Sequence, residues 1–423
     1  MYPFSLFALA VAIVGASTPR TQAGPSDNAV AVTTTIGATK RIPCPTNPKL
    51  TYDLYLPKSY GEKTDTRFPV LFISSPHKNP GFRGLQSWAE TNDVVLVTIN
   101  DSENGPIKPI VEAQEAVLDA VKGLRIHPGL RFATGFSGAA AASSAMALRH
   151  PESFAGVLLQ CHSGFPAGAP KHLSVAFVGG VKDTTHPDKY VRSAATNAAR
   201  GDRYCRQAHL DMGHDWAPVG TTAPMLTHML TYARLTHPSL SPKERAMASV
   251  EAEALVKKAA AAAASAESME SLDPLLCVGE LKNKSFRARA LDLWCAARAA
   301  QIDGMPGKDA FAALSDNLTK KRFDECRGPS AKTVENLRKK LRADTSLKNE
   351  FVAWKEFEPI RDAYERLTRG IYDKGSVKKV SRKDFIAINL KLESLVKKHA
   401  GTHAANVADA LWNAGIPSDA LGK

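Results

Sequence analysis

Cysteine is scarce in this chain. Its 423 residues hold six, at positions 44, 161, 205, 277, 295 and 326, and no two stand as C-x-x-C. That excludes a zinc ribbon and a thioredoxin-like redox pair. No H-E-x-x-H or comparable histidine spacing occurs, so no metal site is expected. No run beyond residue 16 is long and apolar enough to suggest a bilayer span. No repeat recurs at a fixed period. Acidic residues are in deficit, 42 against 55 lysines and arginines, a net charge of +13. Yet the basic residues are spread along the chain with acids between them, and no nucleic-acid-binding signature accompanies them. A basic surface that tolerates anionic wall or matrix polymers is the simpler reading, with nucleic acid excluded as a partner.

What is present begins with a targeting segment. Phe4 to Ala16 is a short apolar run, and Thr21-Gln22-Ala23 supplies a small-x-small cleavage site, although no basic residue precedes the run. We read residues 1–23 as a signal peptide and 24–48 as an N-terminal segment, with a secreted or periplasmic product that has no membrane span once the signal is removed. In an oxidising compartment six cysteines become candidates for disulfides, with 15 pairings open. The hydrophobic share of 44% and charged share of 23% are those of a globular chain.

Two regions follow. Over 49–238, β-rich runs such as PVLFISS, VVLVTIN, RFATG, AGVLLQ and SVAFVGG alternate with amphipathic helical stretches. That alternation predicts an α/β sheet, mostly parallel and covered by helices on both faces. After the turn-rich HPSLSP the β-rich runs stop. An alanine-rich stretch, EAEALVKKAAAAAASAESMESL, opens a region of helical spacing that runs through 239–423. It reads as an all-α module, and a chain ending near Leu240 is expected to fold alone.

The chemistry gathers in one stretch, ATGFSGAAAASSAMALRH, from Ala133 to His150. A strand, a glycine-flanked serine and a helix of small residues describe a tight corner that lifts the Ser137 hydroxyl to the end of the sheet. There it lies at a helix N-terminus, which favours developing negative charge. A serine nucleophile needs a base, and the base needs an orienting acid. Both follow in chain order, each just past a strand: Asp183 in VKDTTHP and His214 in GHDWAP. Separations of 46 and 31 residues leave room for one strand-helix unit each. Asp188, Asp211 and Asp215 compete for the acid's role, while His162, His186 and His209 are less suitably placed as the base.

Here the region, over about 49–235, resembles exported α/β-hydrolase serine esterases of the feruloyl esterase and polyhydroxybutyrate-depolymerase-like type. YDLYLPKSY resembles their first strand, GFSGA their nucleophile elbow, KDTTHP their acid loop and GHDW their histidine loop. The resemblance implies an α/β-hydrolase-type sheet, Ser137 as nucleophile, His214 as general base and acid, Asp183 as orienting carboxylate, and no cofactor. It says nothing of the helical half. One loop departs from the pattern. Where these esterases follow the second core strand with His-Gly and further glycines, this chain has Pro76-His77-Lys78-Asn79. Proline has no N–H to offer an oxyanion. The expected donors are the N–H of Gly138 and that of His77, with Lys78 adding positive potential at the mouth. Trp216 is read as substrate-binding or as packing. The substrate class expected is a carboxylic ester, on a polysaccharide or other polymer, since the short Ser137–Asp183 passage leaves no room for a large lid. A silent binding scaffold and a serine peptidase are the alternatives.

Overall fold

A computed structural model describes residues 35–165, 169–199, 203–262, 265–276, 281, 284–368 and 380–414. Residues 1–23, read above as a signal peptide, and Cys277 lie outside these. Eight strands form one sheet in the order β1-β2-β4-β3-β5-β6-β7-β8. They are β1 (Gly37–Cys44), β2 (Asn47–Leu56), β3 (Phe68–Ser74), β4 (Val95–Ile99), β5 (Ile126–Phe136), β6 (Phe154–Gln160), β7 (Ser174–Gly180) and β8 (Cys205–Leu210). β1 pairs antiparallel with β2, and β2 with β4, while the remaining pairs are parallel. This is the α/β-hydrolase-type sheet expected. It begins earlier than the sequence suggested: β1 lies in the segment 24–48, where GATKRIPC has no apolar alternation because its strand is an exposed edge. β3, β4, β6 and β7 are buried along their whole lengths, which is why they read as nearly continuous apolar runs.

Helices α1 (Lys58–Glu62), α2 (Gln86–Asn92), α3 (Ile107–Ala120), α4 (Gly138–Arg149), α5 (Asp188–Ala199) and α6 (Val219–Thr236) belong to the alternating half. One face of the sheet packs on α3, α4 and α5, with Ala113, Val117, Ala140, Met146 and Val191 in that core. The other packs on α2 and α6, through Trp88, Met225 and Met229.

This second core does not stop at the linker. It continues into α7 (Pro242–Ala261), α8 (Ala266–Leu272), α9 (Ser285–Asp303), α10 (Gly307–Ser315), α11 (Asn317–Glu325) and α12 (Ser330–Ala343). α7 starts at a capping box between Ser241 and Glu244, with Pro242 in the first turn. Its buried residues, Ala248, Ala252, Val256 and Ala259, recur at helical spacing. Asp273 ties the halves together, pairing with Arg206 of β8 at 3.7 Å and Arg322 of α11 at 2.6 Å. The linker itself is held: His237 is fully buried and its Nε2 lies 3.3 Å from the Phe154 carbonyl. The alternating half is therefore covered by the helical half, contrary to the free-standing unit the turn-rich linker suggested. A smaller separate core joins α13 (Lys348–Thr368), α14 (Arg382–Lys398) and α15 (His403–Ala414) around Phe357, Phe385 and Leu392. No helix among the described residues is long and apolar enough to cross a membrane.

Candidate active site

The carboxyl ends of parallel strands share one edge of the sheet, and residues just past them converge there. Ser137 follows β5, Asp183 lies three residues past β7, and His214 lies four past β8. His214 Nε2 stands 2.9 Å from Ser137 Oγ, and His214 Nδ1 stands 2.7 Å from Asp183 Oδ2. The three residues singled out from the sequence are thus joined in one hydrogen-bonded chain.

Ser137 adopts φ 54° and ψ −128°, a conformation rare for a side-chain-bearing residue. Such strain costs on the order of 1–3 kcal/mol and persists only where neighbours impose it. Here the Ser137 N–H donates to the Gln160 carbonyl at 2.9 Å, which ties the corner to the end of β6. The corner also needs Gly135: a Cβ there would lie 2.4 Å from the Ala139 carbonyl oxygen. Ala139, where the related pattern has glycine, is buried. Gln160 reaches further. Its Oε1 accepts the Ala217 N–H at 3.0 Å and its Nε2 donates to Thr134 Oγ1 at 3.2 Å, linking the nucleophile strand to the histidine loop.

The Asp183 side chain is fully buried. Burial pushes its carboxyl up, but the His186 N–H, the His214 ring and the Cys161 thiol outweigh that and hold it below the usual carboxylate range. Its second oxygen, Oδ1, accepts the N–H groups of Thr185 and His186 at 2.8 and 2.7 Å. Cys161 was singled out only as a disulfide candidate. It sits fully buried at the end of β6 with φ 49°, a left-handed conformation, and its Sγ lies 3.4 Å from the Asp215 carbonyl. Burial first, then the Asp183 charge, raises its thiol to about 12, so it stays protonated and donates. Ligand atoms of Cys161, Asp183 and His214 lie within 4.8 Å of one another, the only such group found among the described residues. All three are engaged in the hydrogen bonds just described.

The competing acids and bases are occupied elsewhere. Asp188 pairs with His209 at 2.6 Å and with Arg192 at 2.6 Å, and Asp211 pairs with Lys182 at 2.8 Å. His186 Nε2 meets Ser163 Oγ at 3.0 Å, and burial lowers both His186 and His162, the latter to about 4. Trp216 packs beside Phe136, ring centroids 5.6 Å apart, under the Arg83 guanidinium at 4.2 Å. Phe136 in turn lies 4.7 Å from the His214 ring, so Trp216 backs the wall behind the base.

The departing loop is zipped to the loop after β4. Lys78 and Asn79 donate their N–H groups to the carbonyls of Ser102 and Asn100 at 3.0 and 2.9 Å. Lys78 Nζ pairs with Glu103 at 3.0 Å. The His77 N–H donates to Ser75 Oγ at 3.2 Å. The Gly138 N–H stands in the first turn of α4, where no intrahelical acceptor exists. A cavity of about 680 Å³ lies elsewhere, lined by Asn47, Glu112, Asp119, Arg131 and His150 among others, and contains no triad residue.

No protein-family model matches this chain, and no curated protein does. Solved structures resemble it distantly. A thermostable esterase is similar over 45% of this chain at 15% identity and a TM-score of 0.34, and the match spans 59% of that esterase's length. A ferulic acid esterase is similar over 46% of this chain and 99% of its own, at 14% identity and a TM-score of 0.35. Dipeptidyl peptidase 4 of Porphyromonas gingivalis is similar over 46% of this chain and 34% of its own, at 11% identity and a TM-score of 0.36. Likenesses at this distance carry no assignment of activity.

Proposed function

We propose that this chain is an exported serine hydrolase that cleaves carboxylic esters through an acyl-enzyme. The observation that carries the reading is the unbroken chain from Ser137 Oγ to His214 at 2.9 Å and on to Asp183 at 2.7 Å. Ser137 Oγ attacks the ester carbonyl carbon while His214 Nε2 takes its proton. The negative charge that forms on the carbonyl oxygen meets the Gly138 N–H and the positive end of α4. The imidazolium then protonates the departing alcohol. A water molecule, deprotonated by the same imidazole, releases the acid and restores Ser137. Asp183 fixes the tautomer of His214 and stays ionised throughout. Between Ser137 and Asp183 the described residues form α4, β6, β7 and their connections, with no inserted domain over the site. That suits esters carried on polysaccharides or other bulky molecules.

The test is turnover of p-nitrophenyl acetate with mapping of a fluorophosphonate label. Ser137→Ala should abolish both while the circular dichroism spectrum is retained; full activity in that variant would remove Ser137 from the role. One observation favours a second reading, a silent binding scaffold: Lys78 and Asn79 direct their N–H groups at Ser102 and Asn100 rather than the site. A wild-type protein inert toward both reagents would support it.

A further inference from the structure

An ester hydrolase on this plan needs two donors for the oxyanion, and the loop after β3 is poorly equipped to give one. Pro76 has no N–H, those of Lys78 and Asn79 are spent on Ser102 and Asn100, and that of His77 is directed to Ser75 Oγ. The zipper that spends them has a second effect. Its last rung, from the Asn104 N–H to the Pro76 carbonyl at 2.9 Å, holds Asn104 beside the nucleophile corner. The Asn104 Oδ1 lies 2.1 Å, its Cγ 3.1 Å and its Nδ2 3.6 Å from the point where a Cβ on Gly138 would stand. The carboxamide thus fills the space that a side chain at 138 would take.

We propose that the Asn104 side-chain carboxamide is the second donor of the oxyanion hole. The proposal rests on the reading of Ser137 as nucleophile. An amide nitrogen and a Cβ on the same Cα are about 2.5 Å apart, so the carboxamide oxygen lies within about 5 Å of the Gly138 nitrogen, a place the amide nitrogen takes when the group turns over. An oxygen placed between two such donors is within hydrogen-bond range of both. The carboxamide makes no hydrogen bond to another described residue, so it has nothing to break. It offers two N–H donors and one oxygen. Rotation about its last bond exchanges them, and an anion beside Gly138 selects the N–H face. The backbone tether to Pro76 holds the Asn104 backbone beside the corner, so only the side chain has to turn when substrate arrives.

The experiment compares wild type, Asn104→Ala and the isosteric Asn104→Asp in steady-state hydrolysis of p-nitrophenyl acetate and in the rate of fluorophosphonate labelling of Ser137. Asn104 is exposed, so both variants should keep the wild-type melting temperature. Loss of one oxyanion donor is worth about 10²–10³ in kcat, with KM little changed. Asn104→Asp, carrying a charge of the wrong sign, should be no better than alanine, and labelling should slow in parallel. Gly138→Ala, whose new methyl displaces the carboxamide, should add little to the loss in the Asn104→Ala background. An active wild type whose Asn104→Ala variant retains at least half its kcat would overturn the proposal and leave the nucleophile reading standing. A wild type inert to ester and probe would overturn both.

Discussion

On the proposed reading, Asp183 couples chemistry to stability in one residue. It is buried yet ionised, because its oxygens meet two backbone N–H groups and His214. Asp183→Asn should lower kcat on the order of 10⁴-fold, since the amide favours the wrong imidazole tautomer. The folded protein holds this carboxyl below its usual value, so the unfolded chain takes up the proton first as pH falls. The stabilisation is fully present above the unfolded value of about 3.9 and is lost as pH falls through the lower folded one. The gap in urea midpoint between wild type and Asp183→Asn should therefore narrow below about pH 4; a gap unchanged down to pH 2 would contradict the assignment. Cys161 acts on the same carboxylate from the end of β6. Removing its thiol in Cys161→Ala should lower kcat roughly 2–10-fold, with Cys161→Ser restoring most of it. That Ser137, Asp183 and His214 come together was legible because each follows a strand at the same edge of the sheet. Asn104 and Cys161 were not, because they reach the site through loop pairing and a left-handed turn, neither of which leaves a residue spacing to read. Lys78 drew attention by its charge, yet Glu103 already neutralises it at 3.0 Å.

At the scale of elements, the core strands announced themselves by composition, since burial on both faces leaves little that is polar to interrupt them. β1 did not, being an exposed edge with a buried residue only at Cys44. α7 is the instructive case. Alanines crowd all its sides, so the sequence tells helix from strand but cannot say which face is covered. The covered face is Ala248, Ala252, Val256 and Ala259, where small side chains let α7 approach α6 and the rest of the core closely. A larger side chain has no room there. Ala252→Leu should destabilise the protein by about 1–3 kcal/mol in urea unfolding, while leaving the KM for a small ester unchanged, because α7 contributes no group to the triad. A variant as stable as wild type would show that the contact is loose.

The whole molecule is organised around a core that crosses the linker. Leu71, Leu96 and Val178 of the sheet share it with Val256, Leu275, Trp294 and Leu337 of the helical half. A chain ending at Leu240 should accordingly be insoluble on expression, where the full chain is soluble; a soluble, active fragment would show that the helical half is dispensable. The sharing also sets a schedule. At about 5–20 residues per second, the hundred or so residues from α7 to the end of α12 take roughly 5–20 s to synthesise after the sheet is complete. During that interval α6, whose inner side already covers the sheet, has no cover on its outer side. If the chain is exported, as proposed above, the delay would have a use: the amino-terminal half would lack its outer cover until the segment that supplies it has been made.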